Sequence, residues 1–206
     1  MTTVAIHQPN FFPWAGYFDK IKNCDYFVFL DDVQYTRGSM MNRANICSHR
    51  VTCPVHYKFG QKINQVTIAD QKKWKVKLLK MLYYKYGPDI PAHIYNIIIN
   101  PIPLLSLYNS INIMYISGML KTLPKKGFVT QSELGKFQSA GQELIADIVG
   151  YLGGDTYYSG VGAKDYMDES YMNDRGIKVV YQDITKFPDC SIIDCILDKT
   201  YSYLIR

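Results

Sequence analysis

The residues best suited to chemistry gather in short stretches, two of them near the N-terminus. The first is His7-Gln8-Pro9-Asn10, which follows the β-prone run Val4-Ala5-Ile6. An imidazole titrates near pH ~6.5, so His7 can exchange a proton or hold a phosphate. A histidine whose ring nitrogens serve nearby backbone groups fits the same place. The second is Asp31-Asp32 with Gln34, at the end of the next apolar run. A carboxylate there can take a proton from an attacking amine, or bind a ribose or sugar hydroxyl. Solvated acids at a strand end would look the same. Neighbouring strand residues point to opposite faces, so only one of the two acids can face a given cleft.

Arg37, Asn42 and Arg43 follow in a polar stretch. A guanidinium fork matches phosphate or carboxylate, so they can clamp an anion; an exposed loop with scattered charge is the plainer alternative. In Tyr158-Ser159-Gly160-Val161-Gly162, glycines bracket a strand-to-helix turn whose N–H groups can receive an anion. No Gly-Lys-Ser/Thr follows, and Ser159 lacks the Gly-x-Ser-x-Gly elbow of many serine hydrolases. Asp194 is one acid in an apolar helix, Ser191-Ile192-Ile193-Asp194-Cys195, and a buried acid needs a partner.

Positioning these groups requires strands alternating with helices. The spacing of Trp14, Tyr17, Phe18 and Ile21 predicts a helix to Lys22, and Asp25 to Asp32 reads as a buried strand. Residues 33 to 50 read as a long irregular segment, and two short strands are expected around Gly60. Helices are predicted over Lys72–Tyr86, Ala92–Asn100 and Leu104–Leu120. The last third alternates again. Phe128–Thr130, Thr156–Tyr158 and Ile177–Tyr181 read as strands. Helices run to Tyr151 from a capping box of Ser139 and Gln142, over Ala163–Asn173, and from Ser191 to Leu197. The pattern predicts one α/β domain over 1–206: a Rossmann-like parallel sheet flanked by helices, with a mainly helical insertion about 71–125.

Composition narrows the function. The chain has 206 residues, 48% of them hydrophobic, enough for a sizeable core. No apolar run is long enough for a membrane helix, so no membrane insertion is expected. The N-terminus shows no signal-peptide pattern, and a cytoplasmic protein is the expectation. A net charge of +5 is too mild for a dedicated nucleic-acid binder. One basic cluster, Lys72, Lys73, Lys75, Lys77 and Lys80, reads as a solvated helix face, with contact to phosphate or acidic lipid as the alternative. Five cysteines with no CxxC read as reduced structural thiols, and no metal site is expected. The 18 tyrosines suit a cleft for sugars or nucleotides, and equally serve as half-buried filler.

The opening HQPNFFPWAGYFDKIKNCDYFVFLDDVQY resembles the signature of the WbqC-like family, found among bacterial gene sets for O-antigen and other surface polysaccharides. The matching positions are His7-Gln8-Pro9, Pro13-Trp14-Ala15-Gly16-Tyr17-Phe18 and Asp32-Val33-Gln34, with YYSGVGAKDYM and SIIDCILD in support. Met40-Met41-Asn42-Arg43-Ala44 departs from the expected Trp-Gln-Asn-Arg-Asn. The resemblance implies a transferase of lipopolysaccharide and related glycan biosynthesis, moving an acyl or aminoacyl group, glycyl among them, onto the amine of a nucleotide-linked amino sugar. A non-catalytic sugar- or nucleotide-binding accessory protein is the alternative. On the transferase reading His7 and Asp32 are the catalytic candidates. Gln8, Asn10, Trp14, Tyr17, Lys20, Gln34, Arg37, Asn42, Arg43, Ser159 and Tyr166 are the candidates for substrate binding. No cofactor and no oligomeric state is implied.

Overall fold

Short β-prone runs broken by proline, glycine or acids give short strands, and the computed structural model, which describes residues 1–205, shows where they fall. In chain order the elements are β1 (Thr3–His7), α1 (Ala15–Lys22), β2 (Tyr26–Phe29), β3 (Arg43–Ile46), β4 (His49–Thr52), β5 (Val55–His56), β6 (Thr67–Ile68), α2 (Lys73–Tyr86), α3 (Ala92–Ile99) and α4 (Leu105–Met119). Then follow β7 (Gly127–Thr130), α5 (Gly141–Tyr151), β8 (Thr156–Ser159), α6 (Glu169–Asp174), β9 (Lys178–Tyr181), α7 (Ile192–Leu197) and α8 (Ser202–Ile205). They form two compact units. One comprises Met1–Gln8, Gly16–Leu30 and Ser117–Phe187; the other Pro9–Ala15, Asp31–Ile116 and the chain from Pro188 onward.

The first unit is the expected α/β layer. Its five strands run parallel in the order β7-β2-β1-β8-β9. Parallel neighbours need crossovers, supplied by α1 between β1 and β2, α5 between β7 and β8, and α6 between β8 and β9. From β1 the chain moves one way to β2 and β7, then returns to the other side of β1 as β8. The strand order thus reverses between β1 and β8, and in open parallel sheets a ligand crevice lies outside the carboxyl ends at such a point. The core is aromatic: Phe27 and Phe29 share one face of β2, and the Phe29 ring stacks on Phe128 of β7 at 5.5 Å. Phe18 and Ile21 of α1 are fully buried.

Gly154 precedes β8 where the chain is closest to its neighbours. A Cβ there would lie 2.7 Å from Val4 Cγ2 and 2.8 Å from Val149 Cγ1. Both are branched, fully buried core side chains. Gly154→Ala is expected to lower stability by about 1–3 kcal/mol, measured by urea unfolding; an unchanged midpoint would show that β1 and α5 yield freely here.

The second unit holds α2, α3, most of α4, α7 and two antiparallel hairpins, β3–β4 and β5–β6. Here the sequence-based expectation needs correction. Residues 33 to 50 are not wholly irregular: β3 and the start of β4 lie within them, in register from Arg43↔Thr52 to Ile46↔His49. Their two-residue turn, Cys47-Ser48, has φ of 54° and 61°. A hairpin turn of this kind needs both central residues in the left-handed region, usually Asn-Gly. Cys-Ser carries no such signal; the turn is held by a tertiary contact, in which both carboxylate oxygens of Asp194 accept the Cys47 N–H at 3.0 Å.

Two helix starts also differ. The N-cap of α5 is Ala140; Ser139 donates instead to Asp147, and Gln142 accepts the N–H of Asp168, so the expected capping box does not form. The helix expected over 163–173 splits into a 3₁₀ turn (Val161–Ala163) and α6, because Asp168 caps the latter by accepting from Ser170 and Tyr171 N–H. Ser191 caps α7 as expected, accepting the Ile193 N–H. Among the described residues no helix is long and apolar enough to cross a membrane.

Candidate functional site

The carboxyl ends of β1 and β8 border a cavity of about 360 Å³ within the first unit. Five predicted site residues line it: His7, Gln8, Lys20, Ser159 and Tyr166. A sixth, Tyr17, packs its ring edge against His7 at 4.7 Å, and its hydroxyl donates to the Gln8 carbonyl at 2.9 Å. Gly160 and Gly162 line the same space with no Cβ to fill it. Sequence reasoning missed Tyr157, Ile145 and Leu30. For Tyr157 a signal existed: it sits two residues before Ser159 on one strand, so both side chains share a face.

Lys20 is the unusual group. It is 3% exposed, and its Nζ donates to the Ile6 carbonyl at 2.9 Å and lies 5.9 Å above the Tyr157 ring. Among the described residues no carboxylate lies within ion-pair distance of it. An ammonium out of water without a counter-charge is costly, and burial holds Lys20 down to about 8. One of its N–H groups is engaged; the others are available to an anion entering the cavity.

His7 is half-buried. Its Nδ1 lies 3.0 Å from the Gln8 carbonyl oxygen. A carbonyl only accepts, so Nδ1 carries the proton, and in the neutral ring Nε2 is an acceptor. Burial first, and the nearby Lys20 charge second, push His7 down to about 3. At neutral pH it is an uncharged acceptor able to orient a ligand N–H or O–H, and a weak base. The unfolded chain binds a proton on this ring below pH about 6.5, whereas the folded chain resists doing so until about 3. Stability should therefore fall as pH drops through that window, and His7→Gln should flatten the fall. Urea midpoints at pH 7 and pH 5 measure this; equal slopes for the two proteins would contradict the assigned burial.

The remaining predicted residues belong to the second unit. Asp32 is bound on both oxygens, by Lys62 Nζ at 2.6 Å and Asn64 Nδ2 at 3.0 Å. Gln34 and Arg37 are exposed, and Gln34 forms an isolated backbone bridge with Lys62. Asn42 is buried and donates to the Cys53 carbonyl, while its Oδ1 has no hydrogen-bond partner. Arg43 Nη1 donates to the Gly38 carbonyl at 3.3 Å. Asn10 and Trp14 are half-buried, and Trp14 bridges to Ser191 through the backbone.

Other groups offer less. A wider hollow of about 630 Å³ near α5 contains Asp147 and Arg175, which pair with each other at 3.0 Å. Burial pushes the Cys24 and Cys53 thiols up to about 12, so neither supplies a thiolate nucleophile at neutral pH.

The sequence profile of the WbqC-like protein family matches residues 8–198, nearly the whole chain. The chain belongs to this family. It is also similar to the uncharacterized protein Rv1507c of Mycobacterium tuberculosis (strain ATCC 25618 / H37Rv), 28% identical over 200 residues, which cover 92% of this chain and 85% of that one. No solved structure matches the chain. The WbqC-like match takes in all of the predicted site residues except His7, which lies just before its first position.

Proposed function

We propose that this WbqC-like chain is a cytoplasmic transferase of surface-polysaccharide biosynthesis that acts on a nucleotide-linked amino sugar, receiving an acyl or aminoacyl group on the sugar amine. The observation that carries the reading is the buried Lys20, without a carboxylate at ion-pair distance among the described residues, in a cavity at the point where the strand order reverses. An ammonium there favours a ligand that brings its own negative charge, as a nucleotide diphosphate does. His7 Nε2 accepts a hydrogen bond from the acceptor amine and orients its lone pair. The amine nitrogen then forms a bond to the acyl carbon, the bond from that carbon to the donor's leaving group breaks, and the amine proton departs with the leaving group. Lys20, held near 8, is the cavity group whose proton exchange falls closest to neutral pH.

One observation favours the second reading, a non-catalytic binder: His7, the acceptor placed against the amine, is a weak base. Purified protein incubated with nucleotide-linked amino sugars and acyl or aminoacyl donors separates the two. A product heavier by the transferred group, and lost in His7→Ala, is expected for the transferase. Binding without product, with product restored by a second protein, makes the chain an accessory subunit.

A further inference from the structure

Helix α2, remote in sequence from the cavity residues, carries an exposed ridge of one character. Its outward positions Lys73, Val76, Lys77, Lys80, Tyr83 and Tyr84 recur at helical spacing. Neither α2 nor α3 contains an acid. The flanking acids lie outside the helices: Asp70 caps α2 through the Lys72 and Lys73 N–H groups, and Asp89 sits in the exposed connection to α3.

A cavity opens on either side of this ridge, both within the second unit. One, of about 330 Å³, lies between β4 and α2. Its polar lining is Arg50, Lys77, His49, Thr52 and Trp74, with no carboxylate among the lining residues. His49 Nδ1 donates to the Cys47 carbonyl, and the indole N–H of Trp74, a residue only 7% exposed, has no partner. The other, of about 600 Å³, lies between α2 and α3, walled by Tyr83, Tyr84, Tyr95, Leu79 and Ile90, with Lys80 its single charged residue. Tyr84 is 92% exposed. Lys77 borders the first cavity and Lys80 the second, one helical turn apart.

A cationic hollow and an apolar, tyrosine-walled groove beside one lysine-lined ridge fit a ligand that is both anionic and amphiphilic. Protein interfaces are depleted in lysine at their centres, whereas lysines and interfacial tyrosines are what an acidic lipid surface selects. We propose that the α2–α3 face docks on an anionic membrane surface, with headgroup phosphates at Arg50 and Lys77 and the tyrosines at the depth of the headgroups. This surface attachment involves no spanning segment, and it does not depend on the transferase reading.

The full chain is sedimented with vesicles of phosphatidylcholine alone and of phosphatidylcholine with phosphatidylglycerol. Co-sedimentation with the acidic vesicles only, released by salt, is expected. Each exposed lysine near an acidic surface is worth about fivefold in partitioning, so Lys77→Gln with Lys80→Gln should weaken binding about 25-fold. Tyr84→Ser should weaken it further while the far-ultraviolet circular dichroism stays unchanged. Equal binding to the two vesicle types, or to neither, overturns the proposal without reference to any variant. It is equally overturned if the patch instead binds a single-stranded oligonucleotide while ignoring vesicles, or if it holds two copies of the chain together without lipid.

Discussion

Lys20→Met is expected to make the protein more stable while abolishing anion binding at the β1–β8 cavity. Lys20 is 3% exposed, carries no counter-charge within ion-pair distance among the described residues, and is held at about 8 rather than the ordinary 10.5. That difference corresponds to about 3 kcal/mol of stability forgone at neutral pH. Methionine is nearly isosteric and removes the charge, but leaves the Ile6 carbonyl without its donor, a loss of about 1–2 kcal/mol. A net gain of about 1–2 kcal/mol at pH 7 remains. The pH dependence has a definite sign. Between about 8 and 10.5 the unfolded chain holds the lysine proton and the folded chain does not. Wild-type stability from this group therefore rises through that window, and the advantage of the variant shrinks. Urea unfolding at pH 7 and pH 10 measures both. Calorimetry with a nucleoside diphosphate should show wild-type binding weaken above pH about 8 and vanish in the variant. A variant clearly less stable at pH 7, still binding the nucleotide, would sink the assignment. A residue that costs the fold stability and is nonetheless kept in a cavity is the behaviour expected of a binding group.

Asp194→Ala should produce the largest loss of stability. Asp194 is 3% exposed and sits at a junction within the second unit. It accepts the Cys47 N–H at 3.0 Å on both oxygens, accepts the Tyr86 hydroxyl at 2.5 Å, and lies 3.6 Å from Lys85 Nζ. Alanine strands a buried backbone N–H and a phenol, and removes the contact that holds the Cys47-Ser48 turn at positive φ. The expected loss is about 3–5 kcal/mol, which for a chain of this size lowers Tm by about 10 °C. Asp194→Asn keeps an acceptor for Cys47 and should lose about half as much. Thermal unfolding within a degree of wild type for Asp194→Ala would show that the turn stands without its carboxylate.

How much of this was readable from residue types depends on whether the decisive interaction was local. The hydrophobic run through Phe27–Phe29 and the helical spacing of Tyr17, Phe18 and Ile21 announced β2 and α1, because burial on one face leaves a period in the chain. Strands separated by helix-length connections implied parallel pairing, since parallel neighbours need a crossover. The same logic placed His7 and Ser159 at strand ends, and His7 with four of the residues expected to bind substrate, Gln8, Lys20, Ser159 and Tyr166, does line one cavity.

What depended on distant contacts was invisible. The β3–β4 hairpin lacked turn residues of its own, because Asp194, some 147 positions away, supplies the constraint. The split of the expected 163–173 helix, by contrast, followed from a local signal that the helical spacing obscured, Asp168 capping a later start through the Ser170 and Tyr171 N–H groups. The family resemblance made Lys20 a candidate but could not reveal that it is buried with no carboxylate within ion-pair distance among the described residues. The sequence alone therefore determined the family and the α/β class, since these follow from motif and local periodicity. Tertiary structure alone decided the electrostatic state of the cavity. Desolvation and charge proximity depend on which groups meet in space, and no spacing along the chain encodes that.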